Sequence, residues 1–311
     1  MLLKENNPWV GLASYKSQDA ARFFGREKES RSLAELIQAN YCTILYGQSG
    51  AGKTSLIQAG VCPILSGAHY LPIPIKLEHT GTVSYARQIM ERVEEEIQGI
   101  GGEIEFPVDI PEEMDDRNRA WLFFHTATFW DGQNFRITPS FFIDQFEELF
   151  TLTSDPYAVQ GFFNLVDRLL QMIPPEDISD AFEQKGIRLP YHEKPAFRLV
   201  LSLREDFLAR LEDYSYSIPA LRRNRIGLAP MNGQQALEVI MSPIPGLVER
   251  DAALRILSDL TFSPEIIGTA MPRQASTVST ASNTLSLSSC MSLLYASGIP
   301  FRTVRMAVRS P

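Results

Sequence analysis

One octapeptide near the start of the chain restricts the possible folds more than any other segment. Residues 47–54 read Gly-Gln-Ser-Gly-Ala-Gly-Lys-Thr and fit the pattern G-x-x-x-x-G-K-[ST] at every fixed position. Such glycines let successive main-chain N–H groups converge on phosphate oxygens, while the lysine reaches the β- and γ-phosphates and the threonine ligates Mg²⁺. The predicted phosphate-binding residues are therefore Gly47, Gln48, Ser49, Gly50, Ala51, Gly52, Lys53 and Thr54, and Thr54 is also a predicted metal ligand.

The segments around this octapeptide alternate between strand and helix patterns. An apolar, β-rich run at 41–46 precedes it, and a helical pattern at 53–65 follows it. This alternation predicts an α/β fold: a parallel-sheet P-loop NTPase core of three layers (α/β/α), with the ligand beyond the carboxyl ends of the strands. Further strands are predicted at 71–77 (a sheet edge, because of its prolines), 141–143, 197–203 and 225–228. Helices are predicted at 28–39, 84–98, 157–173 and from 233, an exposed insertion at 99–113 and a loop at 174–195.

Acidic residues follow one of the predicted buried strands. The run Phe-Phe-Ile at 141–143 ends in Asp144, and Glu147 and Glu148 come shortly after it. We expect this strand to lie adjacent to the P-loop strand, with Asp144 binding the metal of the P-loop nucleotide and one of the two glutamates acting as the general base. The residues do not choose between the glutamates. Taken alone, the cluster is also typical of a solvated helix start.

Two other segments have a functional and an ordinary interpretation. The strand predicted before Arg204 places that arginine where it would detect the γ-phosphate, or where it would form a surface pair with Glu205 or Asp206. Near the N-terminus, Phe24 and Gly25 offer an apolar ring and open backbone for adenine, although such a pair is also typical of an ordinary packed loop.

Charge and cysteine content exclude several classes of function. A net charge of −8 argues against broad affinity for nucleic acid, whose backbone favours an excess of Lys and Arg. The three cysteines, Cys42, Cys62 and Cys290, form no C-x-x-C pair and fit a reducing compartment. No segment resembles a signal peptide or a run of about 18 apolar residues. We therefore expect a cytoplasmic protein with neither a membrane nor a nucleic-acid partner.

Three regions are predicted along the chain: an N-terminal adenine-side segment with a helix at 1–40, the P-loop NTPase domain at 41–262, and a Ser/Thr-rich tail at 263–311. No acidic residue follows Glu265, and this composition makes poor core material. We expect the tail to be short and poorly ordered, and one interpretation is that it lies outside the original reading frame.

These segments, in this order, resemble the novel STAND type of P-loop NTPase, the signal-transduction ATPases with numerous domains. The resemblance extends over about residues 7–260. Its most distinctive part is Asp-Gln-Phe-Glu-Glu-Leu-Phe at 144–150, because acids at the third and fourth places after the strand aspartate are typical of this class. The other matching segments are the opening at 7–12, Phe-Gly-Arg-Glu at 24–27, the phosphate loop continued to 56 with Ala-Gly at 59–60, and Leu-Arg-Glu-Asp-Phe-Leu at 203–208.

The resemblance implies further roles for individual residues. Arg26 joins Phe24 and Gly25 on the adenine side, Ser55 joins the phosphate loop, and Arg204 becomes the sensor arginine. It also implies ATP/ADP and Mg²⁺ as cofactors and a switch that hydrolyses ATP slowly. ADP would hold a closed monomer, and exchange for ATP would open it to self-associate.

The end of the chain departs from the family pattern. Relatives often carry an effector before the ATPase and repeat sensors after it, and a helical lid with a winged-helix region should follow the fifth strand. Here the sequence becomes Ser/Thr-rich instead, which indicates a truncated family member. Its sensor and effector partners are unknown. The alternative function is a nucleotide-binding module without productive hydrolysis. A small-molecule kinase ranks last, because no segment is typical of its arginine-bearing lid.

Overall fold

A computed structural model describes residues 9–11, 13–111, 113–153, 155–243, 245–246 and 248–262. The predicted tail at 263–311 lies outside these residues. The described residues divide into two compact units, a smaller one within 9–31, 47–63 and 228–262 and a larger one within 32–46 and 64–227. The domain boundaries predicted after residues 40 and 262 remain predictions.

A sheet of seven strands runs through the larger unit. Its order is β3-β4-β5-β6-β1-β7, and β2 also pairs with β5. Strands β2 and β6 run parallel to β5, whereas β4 runs antiparallel to both β3 and β5. The strands are β1 (Cys42–Gly47), β2 (Tyr70–Ile75), β3 (Glu103–Glu105), β4 (Thr128–Trp130), β5 (Arg136–Ile143), β6 (Arg198–Arg204) and β7 (Arg225–Leu228).

Helices flank the strands, which confirms the predicted α/β class. In the part of the chain that the structure describes, no helix is long and apolar enough to cross a membrane. The α-helices are α1 (Glu27–Ala39), α2 (Lys53–Ser55), α3 (Cys62–Ser66), α4 (Tyr85–Gly99), α5 (Asp116–Thr126), α6 (Glu148–Thr151), α7 (Pro156–Leu170), α8 (Glu176–Glu183), α9 (Leu208–Ser215), α10 (Ala220–Arg223), α11 (Gly233–Met241) and α12 (Arg250–Phe262). Short 3₁₀ helices occupy Ser17–Arg22 and Glu205–Phe207, and a π-helix occupies Leu56–Val61.

Burial on both faces explains why the central strands have nearly continuous apolar sequences. Five of the last six residues of β5 and five of the first six of β6 are fully buried. The rings of Phe141 on β5 and Phe197 just before β6 stack at a centroid distance of 5.7 Å. By contrast, β2 carries Pro72 and Pro74 and pairs with β5 alone among the described strands, as expected for an edge.

Short regular elements occur within the predicted loop at 174–195 and within the predicted insertion at 99–113. The helix α8 lies within 174–195, where Ile178 and Phe182, four residues apart, pack in a cluster with Trp121. The strand β3 lies within 99–113, where it pairs with β4. The loop prediction was wrong because α8 is short and is stabilised by contacts with residues distant in the sequence.

Candidate functional site

The phosphate loop joins the end of β1 to the start of α2. Gly50 and Gly52 have φ angles of 75° and 94°, in the left-handed region that side chains with a Cβ rarely adopt. The helix begins directly after them at Lys53. The positive end of the helix dipole and the main-chain N–H groups of this turn therefore belong to the same short segment, as an anion site requires.

Lys53 folds back onto this loop. Its Nζ donates hydrogen bonds to the carbonyl oxygens of Gly47 and Gln48, at 2.9 and 3.1 Å. The ammonium group thus lies at the carbonyl groups that open the loop. Main-chain N–H donors and one ammonium form a donor set for a polyphosphate anion, so the residues present fit a bound nucleotide phosphate.

An N-terminal segment packs on the helical segment after the loop. The main-chain N–H of Tyr15 donates to Ser55 Oγ at 3.2 Å, and Ser17 Oγ donates to the carbonyl of Gln58 at 3.0 Å. Tyr15 is buried, and this burial raises the pKa of its phenol to about 12. These contacts join residues about 40 positions apart, so no local sequence pattern could have indicated them.

Arg26 is buried in the same unit, with 2% of its side chain exposed. Its Nη2 donates to the carbonyls of Ala51 and Ala229, at 3.4 and 2.8 Å, and its Nη1 donates to Glu29 at 2.8 Å. Glu29 also accepts a hydrogen bond of 2.7 Å from Gln235 Nε2. Arg26 therefore ties a carbonyl of the phosphate loop to the segment before α11.

This network keeps Glu29 ionised. Burial by itself raises the pKa of the Glu29 carboxyl, but the hydrogen bonds from Arg26, from its own main-chain N–H and from Gln235 together outweigh burial. The net result is a pKa below the ordinary glutamate value. A buried guanidinium requires such a partner, because burying an unpaired charge costs several kcal/mol. Removing one member of a buried ion pair costs about 3–5 kcal/mol of stability.

The acidic segment at the end of β5 begins with a tight turn. Asp144 follows the last strand residue, and Gln145 has a φ of 55°, which is uncommon for a residue with a side chain. The N–H of Phe146 donates to the carbonyl of Ser202 on β6 at 2.8 Å. The turn therefore stays attached to the neighbouring strand.

The strand that carries Asp144 is not adjacent to the P-loop strand, contrary to the expectation from the sequence. In the sheet order β6 lies between β5 and β1. Local patterns define strands but not their order, because pairing depends on residues far apart in the chain. Strands β5 and β6 are parallel, so their carboxyl ends lie at the same edge of the sheet. The segment that begins with Asp144 and the segment that follows Arg204 therefore both leave the sheet at that edge.

The structure brings Glu147 and Arg204 together. Glu147 Oε2 accepts a hydrogen bond of 3.2 Å from the main-chain N–H of Arg204. The guanidinium of Arg204 forms two hydrogen bonds with Asp206, at 3.0 and 2.8 Å, and its Cζ lies 5.8 Å from the ring centroid of Phe207. The surface pair with Asp206, one of the two alternatives for this arginine, is therefore present in the structure. Glu148 is the first residue of α6.

No group of three or more His, Cys, Asp or Glu side chains able to hold a metal occurs among the described residues. Mg²⁺ in phosphate-transfer sites is bound by one or two protein groups together with substrate phosphates and waters. Thr54 and Asp144 each carry a side-chain oxygen, and the Mg²⁺ role predicted for them remains a prediction.

A mainly parallel sheet with a glycine-rich phosphate loop after β1 is the fold of P-loop NTPases. Residues 8–268 match the family described as Novel STAND NTPase 1, and the chain belongs to that family. The chain is therefore a nucleotide-binding module of the P-loop NTPase class. No protein of curated function matches the sequence.

Several solved structures are similar to the chain. The Orc1 protein of Aeropyrum pernix in complex with DNA has 14% sequence identity and a TM-score of 0.48, covering 93% of this chain and 62% of that one. Cdc6p of Pyrobaculum aerophilum has 14% identity and a TM-score of 0.47, covering 91% and 63%. A Walker-type ATPase of Pyrococcus abyssi has 12% identity and a TM-score of 0.48, covering 94% and 73%. The chain thus spans less than two thirds of the first two proteins.

Proposed function

We propose that the chain binds ATP with Mg²⁺ and hydrolyses it slowly, and that its nucleotide state controls self-association. The phosphate loop is the observation that supports this proposal most directly. Its two left-handed glycines, the helix start at Lys53 and the ammonium folded onto the loop carbonyls form one anion-binding segment. Membership of the STAND class supports the switch.

Each residue has a distinct task in this proposal. The main-chain N–H groups of 47–54 and the Lys53 ammonium bind the phosphates, and the Ser55 hydroxyl adds a contact. Thr54 and Asp144 would hold Mg²⁺, which supplies positive charge against the phosphate oxygens. Phe24, Gly25 and Arg26 form the adenine side, with Arg26 acting through the Ala51 carbonyl that it holds.

Two kinds of side chain serve the reaction itself. Glu147 or Glu148 accepts a proton from the attacking water, which makes the water a better nucleophile. Arg204 stabilises the charge that develops on the γ-phosphate. To reach that charge, Arg204 must break its ion pair with Asp206. Breaking the pair costs little free energy because the two side chains are 45% and 53% exposed to solvent.

Nucleotide binding is tested with Lys53→Ala. Titration calorimetry with ATP·Mg²⁺, ADP·Mg²⁺ and GTP·Mg²⁺ should show binding of ATP and ADP by the wild type and none by the variant. Lys28→Ala, which removes an exposed lysine of α1, is the matched control and should bind as the wild type does. Equal binding by the Lys53 variant would show that the loop is not the site.

Hydrolysis and self-association need separate measurements. Phosphate release from ATP without any acceptor should be slow and should disappear in Lys53→Ala. Light scattering after size exclusion should show a larger species with a non-hydrolysable ATP analogue than with ADP. A requirement for an added acceptor would favour a kinase, and tight binding with turnover equal to that of the Lys53 variant would favour a binding module.

A further inference from the structure

The turn after β5 holds its residues in fixed places. Phe146 is 1% exposed and packs against the rings of Phe150 and Phe162, at centroid distances of 5.6 and 5.1 Å. Its N–H is bonded to β6, as described above. Because Phe146 is anchored in the core, Glu147 and Glu148, which follow it, are held in distinct positions relative to β6.

Glu147 extends the contact between the two strands. The parallel register of β5 and β6 ends at Ile143 and Leu201, and beyond it the Glu147 carboxylate accepts the N–H of Arg204. The carboxylate thus supplies β6 with a hydrogen-bond acceptor beyond the last paired residues. Through this hydrogen bond Glu147 fixes the main chain of Arg204 at the end of β6, and it thereby fixes the point from which the Arg204 side chain extends.

Glu148 has different surroundings. It begins α6, and within the described residues its carboxylate accepts no hydrogen bond from another group. His79 is close enough that the Glu148 charge acts on its pKa, although burial is the larger influence and lowers that pKa. Of the two neighbouring glutamates, one is therefore engaged with the backbone and the other has a carboxylate available to water.

We propose that Glu147 is a positioning residue that fixes Arg204 through its main-chain N–H, and that Glu148 is the general base. This assignment rests on the proposed function, since it divides two tasks of one hydrolytic site. The proton of the attacking water passes to the Glu148 carboxylate as the water oxygen bonds to the γ-phosphorus and the bond from that phosphorus to the bridging oxygen breaks.

Amide and alanine substitutions separate the two roles. In Glu147→Gln the side-chain amide oxygen still accepts the Arg204 N–H, so we expect turnover within about threefold of the wild type, given that a neutral acceptor is weaker by roughly half. In Glu147→Ala we expect turnover to fall about tenfold, since one misplaced group is enough to cost that much. Glu148→Gln should lose about 100-fold in kcat with unchanged nucleotide affinity.

The second measurement is the ratio of ATP to ADP affinity, which reports whether Arg204 senses the γ-phosphate. Arg204→Ala should lower this ratio, Glu147→Ala should lower it in the same direction, and Glu147→Gln should keep it. Glu205→Gln removes a nearby exposed carboxylate and is the matched control, with kcat and the ratio both unchanged. Thermal melting of each variant identifies any that fail to fold.

Two results overturn the assignment: Glu147→Gln as inactive as Glu148→Gln, or Glu148→Gln with wild-type turnover. Failure of the proposed function has a different signature. If the wild type binds nucleotide but releases no more phosphate than Lys53→Ala, hydrolysis is refuted and Glu148 has no proton to accept. The affinity ratio then decides the positioning role, which is overturned if the ratio survives Glu147→Ala.

Discussion

Two arginines that the sequence assigns to the nucleotide site have opposite environments. Arg26 is 2% exposed and bonded to two main-chain carbonyls and to Glu29, whereas Arg204 is 45% exposed and paired with Asp206, which is 53% exposed. If a buried guanidinium moved away, its charged and polar partners would stay buried without a hydrogen-bond donor. Its role is therefore to hold the backbone in place. An exposed pair exchanges at little cost, so its guanidinium is available to a ligand. Burial thus distinguishes Arg26, for which we propose a structural role in the site, from Arg204, for which we propose a role in sensing the γ-phosphate.

The largest expected effect is that of Arg26→Ala on stability. Because the change removes the charged partner of Glu29 and the donor to two carbonyls, we expect the free energy of unfolding to fall by about 3–5 kcal/mol. Urea denaturation measures it, with Arg31→Ala, an exposed arginine of α1, as the control. A loss below about 1 kcal/mol would place Arg26 among ordinary surface residues and remove the contrast with Arg204.

The neighbouring Gly25 tests whether this region is as tightly packed as Arg26 suggests. Gly25 has a φ of +78°, and a Cβ there would lie 2.7 Å from the carbonyl oxygen of Gln235. Gly81 has a similar φ of +75° but nothing within 4 Å of its Cβ position. We expect Gly25→Ala to lower the free energy of unfolding by about 2–4 kcal/mol and Gly81→Ala by about 1–2, the difference being steric overlap. Equal losses would mean that only backbone strain matters.

Acid should weaken the Arg26 region through Glu29. The pKa of Glu29 is lowered in the folded protein, so its stabilisation is present above the unfolded value of 4.5 and is lost as the pH falls through the folded value. We expect Glu29→Gln to cost about 1.5 kcal/mol at pH 7 and progressively less below pH 4.5. Unfolding curves at several pH values measure this. Glu35→Gln, an exposed position on α1, should change little at any pH.

The smallest effect is expected at the exposed pair. Arg204→Ala and Asp206→Ala should each change the free energy of unfolding by no more than about 0.5 kcal/mol. The same urea denaturation measures both, and the ratio of ATP to ADP affinity should nevertheless change in the arginine variant. A stability loss above about 2 kcal/mol in either variant would show that the Arg204–Asp206 pair is structural, like the Arg26–Glu29 pair.

Local patterns were sufficient where an element is defined by its own residues. The run at 41–46 became β1 (Cys42–Gly47), and the helical pattern before it became α1 (Glu27–Ala39). The fold class and the family followed from the phosphate loop and the motifs in their order. The element α8 was missed because its helix packs against Trp121, 55 or more positions earlier in the chain.

The residues of the candidate site were proposed from sequence, but their environments were not. A pattern that contains Arg26 does not reveal that its partners are Ala51 and Ala229, the latter 203 positions away. Similarly, Glu147 and Glu148 are the same residue type in adjacent positions, so the sequence alone does not distinguish them. The hydrogen bond from the Arg204 main-chain N–H to Glu147 does. Burial and partners arise from contacts between distant segments, which short motifs do not encode.

By itself the sequence determined the phosphate loop, the α/β class and the set of candidate residues, because glycine conformations and strand periodicity depend on near neighbours in the chain. Only the tertiary structure decided that β6 separates the Asp144 strand from β1, that Arg26 is buried and that Glu147 holds the Arg204 backbone. Strand order and burial depend on which distant segments pack together, and that choice minimises the free energy of the whole chain rather than of any one segment.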